Sequence, residues 1–126
     1  MLALEDKAQR YLEESIGHLR KVVTDLRDQR ADEDLDLELW RAYSKAEFAL
    51  FVLSISDEEK RWAVEEEIGR GIPSVLLLEE AEQLLRDASR SSAPSSEDSL
   101  ARIWKAETRI IHVSKMLQKE GQTRKS

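Results

Sequence analysis

The sequence predicts an all-α protein, a single-domain antiparallel bundle of four to five helices. Gly and Pro are scarce, four and two in 126 residues. Apolar residues recur every three or four positions, and no alternating strand pattern is sustained. Hydrophobic residues make up 40% of the chain, too many for a disordered polymer. A chain of this length can bury roughly two-thirds of its unfolded surface, enough for one self-sufficient core.

The first helix is expected over 3–30. Its seam is Ala8, Leu12, Ile16, Leu19, Val23 and Leu26, spaced as in a helix packed at a shallow angle in a bundle. Asp32-Glu-Asp34 breaks the pattern and supplies an N-cap. A second helix, 35–55, is apolar on two sides. Leu39, Tyr43, Ala46, Leu50 and Leu53 form one stripe, and Phe48, Phe51, Val52 and Ile55 the other. Such a helix is either the central element or carries an interface with another chain. Ser56 and Glu59 fit a capping box, so a third helix is expected over 57–69, stopped at Gly69-Arg-Gly71. Pro73 suits the first turn of a fourth helix, 73–89.

Residues 89–99 hold six Ser and one Pro and read as a flexible connector. Ser95 or Ser96 should cap a fifth helix over 97–119, with Glu97 and Asp98 complementing its dipole. The expected domain is 1–120, with 121–126 as a frayed tail. The three Trp, at 40, 62 and 104, are expected in core or boundary positions.

Charge is distributed unevenly. From Leu100 onward seven Lys or Arg face two acids, a local balance of +5, so with a total of −6 residues 1–99 carry −11. Arg102, Lys105, Arg109, His112, Lys115 and Lys119 fall on one helical face. They are the candidate anion- or partner-binding face. The competing expectation is an internal match, with these cations facing Glu65–Glu67 or Glu79, Glu80 and Glu82. Nucleic acid is the weaker external partner, because a body of −11 repels the phosphate backbone.

Two carboxylates fall near apolar seams. Glu107 interrupts Leu100, Ile103, Ile110 and Leu117, and Glu47 sits between Ala46 and Phe48. Both are candidate buried polar residues, which must be paired, hydrogen-bonded or protonated. The sequence offers no catalytic residues, no cofactor site and no metal site. Di-iron bundles use Glu-x-x-His pairs, whereas Ser15 precedes His18 and Arg109 precedes His112 by three. Glu79-x-x-Glu82 lacks the partner motif of Mg²⁺-dependent nucleotide-handling bundles. With no Cys, thiolate chemistry and disulfides are excluded. Arg41–Leu50 resembles the small-residue and aromatic helix of HEPN domains, found in toxin–antitoxin systems. Neither His carries the Arg spacing of that family's RNases, so the resemblance implies a helical fold alone.

The functional expectation is a non-catalytic protein–protein interaction or self-association module. The rivals are a nucleic-acid-associated or toxin–antitoxin-like protein using the basic face, and a carboxylate/Mg²⁺-dependent nucleotide-handling bundle. No membrane segment is expected, since the longest apolar run, Phe48–Leu53, is far below the ~20 residues a bilayer needs. The acids in Met1–Lys7 do not suit a signal peptide, so a cytoplasmic location is expected. The chain has no Asn and five Gln beside 37% charged residues, a thermophile-like composition. Calorimetry should therefore place the unfolding midpoint above the ~45–65 °C of ordinary mesophile domains.

Overall fold

A computed structural model describes residues 4–28, 34–55 and 59–124, with side chains described through Lys119. Among these residues the chain is all-helical, with four helices: α1 (Leu4–Arg27), α2 (Leu35–Leu53), α3 (Ser74–Ser89) and α4 (Glu97–Arg124). No helix is long and apolar enough to cross a membrane.

The helices form where apolar spacing coincides with suitable ends. α1 carries Glu5 and Asp6 in its first turn and Arg27 in its last, both favourable to the helix dipole. Ser96 caps α4, its Oγ accepting the Ser99 N–H at 3.2 Å. Each helix packs mainly on two others: α1 on α2 and α3, α4 on α2 and α3. Buried side chains from all four, with Trp62, form one cluster.

Polar pairs fix the register between elements. Ser15 Oγ donates to the Ala42 carbonyl at 2.6 Å inside the α1–α2 interface. Lys45 meets Glu14 at 2.9 Å on the same pair. Arg20 and Arg86 share Glu82 at 3.0 and 2.8 Å, and Arg27 pairs with Glu79, joining α1 to α3.

Of the helix expected over 57–69, the described residues 59–69 are not helical. Residues 59–73 are a non-helical strap, and its proposed cap Ser56 lies outside the described residues. The segment lacks a helical apolar stripe. Trp62 is buried but Val64 is exposed, and Glu66 and Ile68 turn inward while Glu65, Glu67 and Gly69 face out. That alternation belongs to extended chain, and without an apolar face to bury a short helix gains little. The strap follows α4 in the same direction: Trp62 packs on Trp104, Glu66 meets Arg109, and Ile68 lies by His112.

Helix ends also differ. The first helix stops at Arg27, with Asp28 in a turn, and the second at Leu53, so Ile55 is outside it. Pro73 is the N-cap of α3 instead of its first residue. The last helix runs through Gly121 to Arg124, where a frayed tail was expected. One Gly costs a helix only about 1 kcal/mol, too little to end it. Nor is α2 central, because its second stripe faces out. Trp40, expected in a core or boundary position, is 65% exposed.

Near its end the strap turns at Gly71, whose φ of 80° lies in the left-handed region, with open space where a Cβ would stand. Gly71→Ala should therefore destabilise through backbone strain alone, by about 1–2 kcal/mol in urea unfolding.

Candidate functional site

The six cations of α4 do not form one uniform surface. Arg109 is mostly buried and forks across two elements. Nη1 and Nη2 donate to both carboxylate oxygens of Glu66, each at 2.9 Å. Its Nε donates to Glu80 at 2.9 Å. One planar guanidinium thus ties the strap and α3 to α4, using the bidentate geometry only Arg offers. The hydrogen bonds from Arg109 hold the Glu66 carboxyl below its ordinary value against the cost of burial, with Lys105 adding to the effect. Arg102, Lys105 and His112 are half-buried, and Lys115 and Lys119 are exposed.

Glu107 is 2% exposed, and its Oε1 has no hydrogen-bond partner. Glu47, expected as a second buried carboxylate, is exposed instead. It stands on the flank of α2 that borders α4, where it can reach solvent and still bond to Glu107. Burial first, then the hydrogen bond and charge of Glu47, push the Glu107 carboxyl up to about 10. Tyr43 completes the group. Burial, followed by the charges of Glu47 and Glu107, raises its hydroxyl above the ordinary value.

A second buried carboxylate went unnoticed in the sequence. Glu38 is 5% exposed and faces cations. His18 Nδ1 is 2.7 Å away, Arg41 2.9 Å and Lys21 3.5 Å. Burial pushes its carboxyl up, but His18 and Lys21 outweigh that and leave it below the ordinary value. The available signal was His18 and Lys21, three apart on the polar border of the α1 seam.

The outward face of α2 carries Leu37, Trp40, Phe48, Phe51 and Ile55, all exposed. At about 100° per residue Leu37, Trp40, Phe48 and Phe51 lie on one arc, opposite the buried arc of Leu39, Ala42, Ala46, Ala49 and Leu53, and Ile55 follows just past the end of the helix. Trp40 and Leu37 also border a groove of about 710 Å³ between α2 and α4, which ends toward Lys115 and Gln118. A neighbouring cavity of about 320 Å³, under the strap, reaches Glu107. No group of three or more potential metal-ligating side chains occurs among the described residues. Comparison with known proteins finds no family model, no curated protein and no solved structure that matches the chain.

Glu107 makes stability depend on pH in a definite direction. Its pKa is raised from 4.5 to about 10, so between those values the folded chain holds a proton that the unfolded chain has lost. Stability therefore falls as pH rises through that window. Glu66 and Glu38, both lowered, act oppositely: their contribution is present above 4.5 and lost as pH falls through their folded values. Denaturant unfolding from about pH 5 to about pH 9 should show wild type losing stability relative to Glu107→Gln, by up to about 1.4 kcal/mol per pH unit.

Proposed function

We propose that the protein is a non-catalytic interaction module that works by self-association through the outer face of α2. The observation that carries this reading is the exposed arc Leu37–Trp40–Phe48–Phe51, opposite the core face of the same helix, with exposed Ile55 just past its end. Aromatic side chains gathered on one surface are characteristic of association sites. The flanks of the arc argue for a second copy as the occupant. Arg41 and Lys45 border one side, Asp36 and Glu47 the other. A two-fold axis along α2 sets the basic flank of each copy against the acidic flank of its partner.

The scaffold reading that accompanies this proposal is an antiparallel arrangement of neighbouring helices. It is supported by pairs whose numbers run in opposite directions. Lys45 meets Glu14 while Arg41 and Glu38 lie near Lys21 and His18. Glu47 neighbours Glu107, and Leu37 shares a groove with Gln118.

Light scattering on the purified protein should give twice the 14.5 kDa chain mass. Phe51→Glu, at a position 66% exposed, should give the mass of one chain with an unchanged helical circular dichroism spectrum. A wild-type protein that stays monomeric at high concentration overturns the proposal.

A further inference from the structure

The groove of about 710 Å³ between α2 and α4 combines an apolar trough with polar groups gathered at one end. Leu39 and Ile110, both buried, form its floor. Trp40 and Tyr43 line it from α2, and Ile111 lines it from α4. On α4 the lining extends from Ile110 to Gln118, roughly 12 Å at the helical rise per residue. Trp40 is 65% exposed and Ile111 37% exposed. Large side chains left wet at the rim of a trough lose that exposure when an apolar body fills it. The polar groups Ser114, Lys115 and Gln118 all come from the far part of α4. A volume within ~300–1,000 Å³, walled by apolar side chains with a few convergent polar groups, is the usual form of a small-molecule site.

The charges around the groove set the sign at its polar end. Among the described residues Lys115 makes no ion pair. It also lines the adjoining cavity, where the acids are Glu66 and Glu107. Arg109 already answers Glu66, and burial keeps Glu107 neutral. Asp36, the carboxylate within the groove, lies in the first turn of α2, where the positive end of the helix dipole offsets its charge. The Lys115 ammonium is left unanswered, with the Ser114 hydroxyl and the Gln118 amide as further donors beside it.

We propose that this groove binds an aromatic carboxylate of two or three fused rings, the rings lying along the trough against Trp40 and the carboxylate meeting Lys115. Trp40 and Tyr43, one turn apart on α2, offer ring faces on which a flat aromatic body stacks, which an alkyl chain would not exploit. The assignment does not rest on self-association. An indole at the rim of a groove has two faces, one for a ligand and one for a second copy.

The test is an NMR titration of the isotope-labelled protein at neutral pH and low salt with naphthoate, naphthylmethanol and naphthylmethylammonium. Naphthoate should bind saturably and shift the indole N–H signal of Trp40. The signals of Trp62 and Trp104, which lie outside the groove, should stay in place. The alcohol should bind roughly threefold to fivefold more weakly and the ammonium roughly tenfold more weakly, differences that shrink with added salt. Lys115→Gln should remove the preference for the carboxylate. Trp40→Ala should weaken carboxylate and alcohol alike, roughly tenfold. Both positions are exposed, so the circular dichroism spectrum should be unchanged. Phe51→Glu, outside the groove, should bind naphthoate as wild type does. A monomeric wild type that binds naphthoate in this way supports the groove assignment while ending the self-association reading. The proposal is overturned if the ammonium binds as tightly as the carboxylate, if Lys115→Gln keeps the preference, or if Trp40→Ala keeps wild-type affinity. It is equally overturned if the Trp40 signal does not move or naphthoate gives no saturable binding into the millimolar range. Binding by Phe51→Glu alone would assign the groove of the wild type to the second copy and overturn it as well.

Discussion

The guanidinium of Arg109 is the contact on which the arrangement around α4 depends. It meets Glu66 with two donors and Glu80 with a third, all at 2.9 Å, and so ties both the strap and the helix that follows it to α4. The strap buries Trp62 and packs Ala63, Ile68 and Ile72 against the core. Its polar ties are this fork and the Trp104 indole N–H donating to the Val64 carbonyl at 3.0 Å. With the strap in place, the surface of α4 around Glu107 becomes the wall of a cavity. A Lys at the same position offers a point charge and cannot satisfy two carboxylates in one plane.

The two buried carboxylates illustrate how differently one chemical group can be accommodated. Glu38 is surrounded by His18, Lys21 and Arg41 and is held in its charged form. Glu107 lies deeper, has no cation against it, and faces Glu47, so its neutral form is favoured. Burial opposes ionisation at both sites. The sign of the neighbouring charge decides the outcome. Only the second arrangement leaves a buried carboxyl oxygen without a hydrogen-bond partner.

Helix α2 shows a comparable division. Its inner face is lined by Ala42, Ala46 and Ala49 between Leu39 and Leu53, small enough for the Ser15 hydroxyl to reach a main-chain carbonyl. Its outer face carries the largest exposed aromatic side chains of the described chain. Tyr11 of α1 meets Phe48 of that face, with ring centroids 5.6 Å apart, and leaves the rest open. A fold needs one apolar face per peripheral helix, so the second is not required by the packing of the described chain.

Residue spacing alone determined that the chain is helical and where α1, α2, α3 and the start of α4 lie, because those stretches repeat apolar side chains at the helical period. It also marked Glu107 as a carboxyl on a core seam, since a heptad position predicts burial whatever the neighbours are. Other features depended on tertiary contacts. The strap has helix-compatible residues and a plausible cap, but its inward side chains alternate along an extended path on α4 and form no helical stripe. The basic stripe of α4 looked continuous along its own helix until Glu66 and Glu80 arrived from elsewhere to engage Arg109. Glu47 was expected to be buried and is exposed, and the burial of Glu38 went unread, because local pattern fixes the face of a helix only approximately and which face is covered depends on its neighbours. Periodicity records which side chains share a surface. What covers that surface, and with which charge, is decided only when distant segments pack against it.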